Sequence, residues 1–303
     1  MARVLILGGN GFIGKNLAYA LLKRGHEVYS FDLNQPVNPV QGIQYMAGDF
    51  FDDYVLENTV KDMDIIYHAI CTMNPGNSNN KYIMGYERDL IQTIKLCDLL
   101  KDKNTKIVFL SSGGTVYGRQ ERLPVVEDCL PVPINHYGNL KLCIENTMRV
   151  FRYQNNMNII IARIANPYGP GQDYRKGVGF IDAAIKRAMN DETIEVWGEG
   201  NVVRDYVYIT DVCEALVALG EQEVAYDVVN ISSGRGVSQK EILMAIQRHY
   251  PKMKVEYQAA RTVDADKIYL SNERLQTIWK ESMVSIEEGI ERYYHYLKEE
   301  EEN

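Results

Sequence analysis

The first half of the chain alternates short, continuously apolar runs with longer segments in which apolar residues recur at helical spacing. The apolar runs predict strands over residues 4–7, 28–32, 43–45, 65–68, 107–110 and 159–163. The helical spacing predicts helices over residues 14–23, 53–60, 82–100 and 137–154. Strands that are apolar throughout and joined by helices are typical of a parallel sheet covered on both faces. Such sheets bind ligands beyond the carboxyl ends of their strands.

The pattern changes after Arg163. A turn-rich segment over residues 166–171 (NPYGPG) precedes shorter and more mixed elements, with a helix predicted over 180–189, a strand over 194–197 and a helix over 211–219. The next strand, over 227–231, is apolar enough to rejoin the main sheet, and a helix over 239–250 follows it. We therefore predict a second, smaller unit that is interleaved with the sheet.

Composition places the 303 residues among ordinary globular proteins, since 46% are hydrophobic and 24% are charged. The formal net charge of -8 argues against a general nucleic-acid or membrane-surface binder. Apolar runs are of strand length, and Met1 leads straight into a strand, so we expect a cytoplasmic protein without a leader. We assign no metal ligands. The cysteines form no C-x-x-C pair and are expected to be free thiols in a reducing compartment: Cys71, Cys97, Cys129, Cys143 and Cys213.

A glycine-rich turn from Gly8 to Gly14 (GGNGFIG) follows the first predicted strand and opens the first predicted helix. Gly8 permits a tight turn, Gly11 lets the backbone approach a pyrophosphate, and Gly14 lets the helix pack closely on the strand. The start of the helix, with Phe12 and Ile13, supplies unpaired N–H groups and a partial positive charge. Strand, turn and helix in this order predict a dinucleotide-binding, Rossmann-type domain.

The residue that ends the second predicted strand, Asp32, selects the kind of dinucleotide. Its carboxylate would accept hydrogen bonds from the adenosine ribose and repel a 2′-phosphate. The following Leu33 and Asn34 offer no arginine for such a phosphate, so the sequence predicts NAD rather than NADP. After the third strand, Asp49 and Phe50 would contact the adenine edge, although an aspartate there is equally typical of a turn.

Tyr137 and Lys141 lie four residues apart at the start of the long helix, so their side chains share one face. Free tyrosine has a pKa of about 10 and is a poor base at neutral pH. A nearby ammonium and the positive nicotinamide of an oxidised cofactor favour the phenolate and lower that pKa. Such a tyrosine can remove an alcohol proton while hydride leaves the same carbon. The pair therefore predicts a redox site with Tyr137 as the base.

Several motifs occur in order over nearly the whole chain: the glycine turn, residues 111–118 (SSGGTVYG), the Tyr137/Lys141 pair, residues 166–171 and residues 204–208 (RDYVY). Together they resemble the extended short-chain dehydrogenase/reductase family, and most closely its nucleotide-sugar 4-epimerases of the UDP-glucose 4-epimerase type. With the pattern above, this implies an α/β fold with a Rossmann-type doubly wound parallel sheet and a smaller C-terminal α/β cap. The NAD-binding domain would span 1–166 and 208–232, and the nucleotide-sugar-binding cap 167–207 and 233–303.

The resemblance also implies roles for individual residues. Tyr137 would be the catalytic base, and Lys141 its electrostatic partner and a ligand of the ribose. Arg204 and Arg261 would bind the UDP diphosphate, since planar guanidinium groups suit phosphate oxygens. The other substrate-binding residues expected are Thr115, Asn166, Gly177, Val178 and Val196. The cofactor-binding residues expected are Gly8, Gly11, Phe12, Ile13, Gly14, Asp32, Asn34, Asp49, Phe50, Ala69, Ile70, Ser111, Tyr137 and Lys141.

The chain departs from the family pattern near the substrate. Many 4-epimerases carry a catalytic Ser or Thr four residues before the tyrosine of the Tyr-Gly pair, where this chain has Gly113. The hydroxyl must then come from Thr115 or Ser112, and we favour Thr115. Asp89 stands at the first position of the usual Asn-Val-x-Gly-Thr pattern. These changes affect the substrate contacts but not the cofactor.

The predicted activity is NAD-dependent 4-epimerisation of a UDP-sugar through a transient 4-keto sugar. A bulky tyrosine that limits the pocket to unmodified hexoses in such epimerases would fall near Ile268 and Tyr269. The UDP-glucose/UDP-galactose pair and the N-acetylated UDP-hexosamine pair therefore both stay open.

Two alternatives to epimerisation remain. One is a nucleotide-sugar 4,6-dehydratase or 4-keto reductase, and the other is a non-catalytic NAD-binding regulator. Dehydratases of the family place Asp-Glu where this chain has Gly114 and Thr115, which favours epimerisation. Apolar residues on more than one face of both long helices predict a homodimer. We expect no nucleic-acid or membrane partner.

Overall fold

The computed structural model describes residues 1–259 and 267–302. The strands are β1 (Arg3–Leu7), β2 (Glu27–Asp32), β3 (Ile43–Ala47), β4 (Ile65–His68), β5 (Lys106–Ser112), β6 (Ile159–Ile164), β7 (Asn166–Tyr168), β8 (Thr193–Trp197), β9 (Val203–Arg204), β10 (Tyr206–Tyr208), β11 (Val228–Ile231), β12 (Val237–Ser238) and β13 (Lys254–Gln258). Seven of them form one sheet in the order β11-β6-β5-β4-β1-β2-β3, and every neighbouring pair is parallel. The predicted strand over 227–231 thus rejoins the main sheet beside β6.

Helices connect these strands. They are α1 (Phe12–Lys23), α2 (Asp53–Val60), α3 (Ser78–Met84), α4 (Ile91–Leu100), α5 (Gly113–Val116), α6 (His136–Asn155), α7 (Phe180–Met189), α8 (Ile209–Glu221), α9 (Gln239–Gln247), α10 (Glu273–Ile278) and α11 (Ile286–Glu302). A π-helical segment, Gly85–Leu90, joins α3 directly to α4. Within the described residues, no helix is both long and apolar enough to cross a membrane.

The main sheet buries both of its faces, as its continuously apolar strands predict. Val4 and Ile6 on β1 point into a core shared with α1 and α8, while Leu5 and Leu7 point into a second core shared with α2, α4 and α6. All four side chains are fully buried. Successive side chains of a strand point to opposite faces, so each strand must be apolar at every position. The predicted doubly wound α/β fold is confirmed.

The later part of the chain forms a third core of its own. Helices α7, α9 and α11 contribute Ile185, Ile246 and Tyr293 to it, and Val196 from β8 lies among them. The strands here are short and paired in twos: β7 with β10, β9 with β12, and β8 with β13. Small pairs of strands bury less apolar surface than the main sheet, so the packed helices supply most of this core.

Two helices differ from their predicted bounds by three or more residues at one end. The helix predicted over 239–250 ends at Gln247. The helix predicted over 82–100 begins at Ser78, and its middle is the π-helical segment. Apolar spacing does not distinguish a single π turn from α-helix, so the π-helical segment could not be predicted from it. The carboxyl ends of β1, β2, β4 and β5 meet at one edge of the sheet, where the predicted site residues lie.

Candidate active site

The glycine turn between β1 and α1 is held by close backbone packing. Gly8 has φ +92°, and the N–H groups of Gly8 and Gly9 donate to Phe31 O at 2.9 and 3.0 Å. A Cβ on Gly14 would lie 2.3 Å from Gly8 O, and a Cβ on Gly9 would lie 1.9 Å from Ser30 Oγ. The requirement at Gly9 was missed from the sequence because it depends on a neighbouring strand.

Gly11 differs from those glycines because its surroundings are open. A Cβ there would meet only Gly8 O, at 3.2 Å. Gly11 is also the N-cap of α1, and no side chain of the described residues caps it. The first N–H groups of the helix, at Phe12 and Ile13, are therefore available to an anion in front of the turn. This arrangement suits the pyrophosphate of a dinucleotide.

Asp32, at the end of β2, anchors the glycine turn. Its Oδ2 accepts from Asn10 N at 2.9 Å, and its Oδ1 accepts from Leu33 N at 2.8 Å. Asn10 Nδ2 donates to Asn34 O at 2.5 Å, so Asn34 joins the same network through its backbone. The carboxylate therefore lies beside the turn, where an adenosine ribose would be expected.

The adenine-edge candidates after β3 occupy two different environments. Asp49 is exposed, and its Oδ1 accepts from Phe51 N at 3.0 Å, which is the geometry of an aspartate in a turn. Phe50 is 3% exposed, and its ring packs against those of Phe51 and His68. The structure thus places the Phe50 side chain in the core, and its carbonyl oxygen accepts from Gln92 Nε2 at 2.9 Å.

Tyr137 and Lys141 come together at the start of α6. The Asn135 side chain caps the helix by accepting from Gly138 N at 2.8 Å. Lys141 is 3% exposed, and its Nζ lies 5.9 Å from the centre of the Tyr137 ring and donates to Leu110 O at 2.9 Å. An ammonium has three donors, and no other acceptor for it is found among the described residues. Two N–H donors are therefore available to ribose hydroxyls.

The surroundings of Tyr137 keep its phenol neutral. Burial raises the pKa of Tyr137 above its usual range, and the Cys71 thiol and Asp89 raise it further. The interaction with the Ser112 side chain lowers this pKa. The protein's own groups therefore disfavour the phenolate. The lowered pKa predicted for catalysis requires the positive charge of the oxidised cofactor.

The structure brings Ser112, and not the favoured Thr115, to the Tyr137 hydroxyl. Ser112 forms the side-chain hydrogen bond with Tyr137, whereas Thr115 Oγ1 is buried without a partner among the described residues. A Cβ on Gly113 would lie 2.4 Å from Leu270 Cδ1. Leu270 therefore occupies the space that a side chain at position 113 would enter. A hydroxyl one residue earlier takes its place beside the tyrosine.

The remaining cofactor candidates line or underlie the same edge. A Cβ on Gly8 would lie 3.3 Å from backbone atoms of Ala69 and Ile70, so the exit of β4 packs against the glycine turn. Ser111 lies deeper, because its Oγ donates to Glu145 Oε1 at 2.5 Å inside the protein. Its side chain therefore binds α6 inside the protein and does not point toward the edge of the sheet where the cofactor candidates lie.

The substrate candidates lie where the cap meets the sheet. Asn166 Nδ2 donates to Asp205 O at 2.8 Å, and Asn166 Oδ1 would lie 3.3 Å from a Cβ on Gly114. Arg204 Nη1 donates to Val203 O at 2.9 Å. Residues 166 and 204 are therefore held by adjoining backbone segments next to α5.

The other substrate candidates are spread more widely. Gly177 is exposed with φ +81°, and its carbonyl oxygen would lie 3.0 Å from a Cβ on Gly76, so this loop approaches the loop after β4. Val178 is half-buried, whereas Val196 is fully buried in the core of the cap. Arg261 lies outside the described residues.

Asp205 holds the segments at Ser233 and Leu270, and the sequence analysis missed it. Its Oδ1 accepts from Ser233 N and Oγ at 2.8 and 2.6 Å, and its Oδ2 accepts from Leu270 N at 3.1 Å. Burial raises the pKa of Asp205 to about 6, although these hydrogen bonds oppose the shift. Only the adjacent Arg204 was singled out, because a buried anchoring acid has no local sequence pattern.

Residues of the described part fit a bound NAD. Gly11 has no Cβ, so the N-terminus of α1 is open to a ligand. Asp32 lies beside the glycine turn, and Lys141 retains unused donors. No group of three or more potential ligands that could hold a metal ion occurs in residues 1–259 or 267–302. The fold and these groups together define a dinucleotide-binding protein with a candidate acid–base tyrosine.

Comparison with known proteins identifies the family. Residues 4–232 match the family described as the NAD dependent epimerase/dehydratase family, to which the chain belongs. NAD is accordingly its cofactor, and the predicted family resemblance is confirmed. The chain is therefore a member of an enzyme family of the epimerase/dehydratase type.

Individual relatives match over nearly the full chain. A Methanocaldococcus jannaschii protein provisionally named UDP-glucose 4-epimerase is 28% identical over 305 residues, covering 97% of this chain and 98% of that one. The dTDP-4-dehydro-6-deoxyglucose reductase of Escherichia coli is 29% identical over 307 residues, covering 95% of each. The solved UDP-glucose 4-epimerase of Thermotoga maritima with UDP-glucose superposes with a TM-score of 0.91 at 25% identity, covering 98% of this chain and 99% of that chain.

Proposed function

We propose that the protein is a UDP-sugar 4-epimerase that uses tightly bound NAD. The observation that carries the proposal is the buried Lys141 ammonium, whose Nζ lies 5.9 Å from the centre of the Tyr137 ring, with the Ser112 side chain lowering the pKa of Tyr137. A base, an orienting hydroxyl and a cation next to a dinucleotide site suit oxidation of a secondary alcohol. UDP-glucose 4-epimerases among the relatives support the choice of sugar nucleotide.

In this proposal Tyr137 takes the proton from the C4 hydroxyl of the sugar and later returns it. NAD, when bound, supplies the hydride acceptor and donor. Lys141 holds the ribose and stabilises the phenolate, and Ser112 orients the hydroxyl of Tyr137 and of the sugar. The 4-keto sugar turns over inside the site while its diphosphate stays anchored, so binding energy retains the intermediate.

The diphosphate would be held from the cap side. Arg204, in β9, directly precedes Asp205, whose carbonyl oxygen accepts from Asn166 Nδ2 at 2.8 Å, and this proximity supports a site for phosphate oxygens there. We keep Arg261 as a second phosphate ligand on the family resemblance alone. Both the unmodified and the N-acetylated UDP-hexoses stay in the proposal. At the positions that would limit the pocket, Ile268 is 4% exposed, and the Tyr269 ring packs against Gly236, where a Cβ would lie 2.8 Å from Tyr269 Cδ1.

A 4-keto reductase is the second candidate, favoured by the similarity to the Escherichia coli reductase. It would use the same tyrosine in one direction only. A 4,6-dehydratase is less well supported, because Gly114 and Thr115 offer no carboxyl group for expelling water. A non-catalytic regulator would have no need of the Tyr137–Lys141 arrangement.

Proton NMR of the purified protein with single sugar nucleotides separates these functions. The substrates are UDP-glucose, UDP-galactose and their N-acetylated counterparts, each added without external NAD. Epimerisation gives a mixture of both C4 epimers from either member of a pair. A dTDP-4-keto-6-deoxyhexose consumed only when NADH or NADPH is added supports the reductase. No conversion in any reaction, with bound NAD found by mass spectrometry, rules out the epimerase.

We also propose the domain division and the assembly. Residues 1–166 and 208–232 would bind NAD, and residues 167–207 and 233–303 the sugar nucleotide. Exposed apolar side chains on α3, α4 and α6 support a homodimer through these helices, among them Ile83, Ile91, Val150 and Tyr153. Light scattering should give twice the chain mass of 34.7 kDa, and a monomer at micromolar concentration contradicts the dimer. The five free thiols support a cytoplasmic location.

A further inference from the structure

A buried carboxylate belongs to a segment that packs against the start of α6, where Asn139 Nδ2 donates to Tyr86 Oη at 2.7 Å. Asp89 is 2% exposed and belongs to the π-helical segment between α3 and α4. Its Oδ2 accepts from Thr72 N at 2.8 Å and Thr72 Oγ1 at 2.9 Å, and the Cys71 thiol lies 3.4 Å away as a third donor. The carboxylate thereby holds the loop that leaves β4 at the edge where the cofactor site lies.

The second carboxylate oxygen has no such partner. Asp89 Oδ1 is buried and accepts no hydrogen bond from any described residue. An unsatisfied buried acceptor on a charged group needs a compensating interaction. The Cys71 thiol is affected by both the Asp89 carboxylate and the buried Lys141 ammonium. Burial raises the pKa of this thiol to about 11, Lys141 lowers it, and Asp89 raises it further. The carboxylate and the ammonium therefore act on one small volume.

The other neighbours add no charge to this volume. His68 Nε2 lies 2.9 Å from Thr93 Oγ1, which donates to Asp89 O at 2.7 Å. Burial, with the charge of Lys141, lowers the pKa of His68 to about 3, so its ring is neutral at physiological pH. Asp89 and the Cys71 thiol both raise the pKa of Tyr137, the Ser112 side chain lowers it, and Lys141 Nζ lies 5.9 Å from the centre of the Tyr137 ring.

We propose that Asp89 is a positioning residue that fixes the loop after β4 and supplies the negative charge that balances Lys141 beside Tyr137. The role rests on the proposed function, in which Tyr137 is the base. The family pattern has an asparagine at this position, where this chain has Asp89. An asparagine could accept the Thr72 hydrogen bonds but could not carry the charge. Asp89 opposes ionisation of Tyr137, so the base forms only when a further positive charge enters the site.

The substitution Asp89→Asn separates charge from hydrogen bonding. It keeps an oxygen that accepts from Thr72 and removes the negative charge. The rising acid limb of kcat/KM reports the ionisation of the base. Removing a negative charge lowers the pKa of Tyr137, so this limb should move by about one pH unit to lower pH. The matched variant Thr72→Val removes one hydrogen bond and keeps the charge, and its limb should stay in place.

A second measurement needs no turnover. Alkylation of Cys71 by iodoacetamide at pH 8, followed by peptide mass spectrometry on the NAD-bound protein, reports the thiolate at the same place. Asp89→Asn should make it about threefold faster, because a tenfold gain in thiolate is partly offset by lower nucleophilicity. Asp98→Asn, on an exposed acid of α4 that pairs with Lys101, should change neither the rate nor the limb.

The two measurements have distinct outcomes. A shifted limb and faster alkylation in Asp89→Asn, with neither in Thr72→Val, support the role of the charge. An unchanged limb and an unchanged Cys71 rate in Asp89→Asn overturn it, as does a Thr72→Val variant that reproduces both changes. If the wild-type protein converts no sugar nucleotide, the proposed function fails, and the alkylation comparison still decides the role of Asp89.

Discussion

The candidate site has a sheet side, formed by the main sheet, and a cap side, formed by the later part of the chain, and the two are built by different means. On the sheet side, backbone packing shapes the site: Gly8 has a positive φ, and Gly14 has no room for a Cβ. On the cap side, side chains such as Arg204 project from strands of two or three residues. A site formed by backbone accepts few residue types, whereas a site formed by side chains can change with the ligand. The cofactor is therefore easier to infer from this sequence than the sugar.

The largest effect should come from the tyrosine between the two sides. Tyr137→Phe removes the proton acceptor but keeps the ring, so kcat should fall about 1,000-fold, or about 4 kcal/mol. NMR of sugar-nucleotide conversion measures the rate, and mass spectrometry of released small molecules should show that NAD is retained. Tyr54→Phe, at a tyrosine that is 77% exposed on α2, is the control and should keep full activity. Equal activity of wild type and Tyr137→Phe contradicts the assignment of the base.

Two glycines on the sheet side should respond differently to the same substitution. Gly14→Ala places a Cβ 2.3 Å from Gly8 O and should lower the free energy of unfolding by about 3 kcal/mol, because the obstructing atoms are backbone. Gly11→Ala meets one atom at 3.2 Å and should leave that free energy within about 0.5 kcal/mol while weakening NAD binding. Urea unfolding and titration with NAD measure the two effects. Equal stability loss in both variants contradicts this distinction.

The sequence predicted most of the sheet side and little of the contacts that connect it to the cap. Gly8, Asp32 and the Tyr137–Lys141 pair have local patterns, because each depends on its place in one strand, turn or helix. The choice between Thr115 and Ser112 depends instead on how α5 is packed. Leu270, far along the chain, fills the space beside Gly113, where the family's usual side chain would lie.

Contacts between distant segments explain the other residues that the sequence did not reveal. Asp205 binds segments that lie 28 and 65 residues further along the chain, and Asp89 holds a loop 17 residues before it. The π-helical turn that carries Asp89 leaves no trace in the apolar spacing. Long-range polar contacts of this kind are decided by tertiary packing, which a single sequence does not display.

Asp205 provides a test of the cap side by pH. Its pKa of about 6 in the folded protein exceeds the unfolded value of about 3.9, because burial disfavours the charged form. The folded protein therefore binds more protons between about pH 4 and pH 6, so this group's contribution to stability falls as pH rises through that window. The expected loss is on the order of 2 kcal/mol.

Urea unfolding at several pH values compares wild type with Asp205→Asn. The difference in unfolding free energy, wild type minus variant, should decrease from pH 4 to pH 6 because the variant lacks the titrating group. Asp98→Asn, at an exposed acid on the sheet side, serves as the control and should give a difference that stays nearly constant. A wild-type advantage over Asp205→Asn that grows across this window contradicts the raised pKa.

The smallest effect should come from a single phosphate ligand on the cap side. Arg204→Ala should raise the Kd for UDP about tenfold, or about 1.4 kcal/mol, because one guanidinium contact is lost while the rest of the site remains. Arg204→Lys keeps the charge but loses the planar pair of donors, so its Kd should fall between those of wild type and Arg204→Ala. Arg175→Ala, at an exposed arginine paired with Asp173, is the control. Calorimetric titration with UDP measures all four proteins. NAD affinity should stay unchanged throughout, since the dinucleotide is held from the other side of the cleft, and a parallel loss of NAD binding in Arg204→Ala contradicts that separation.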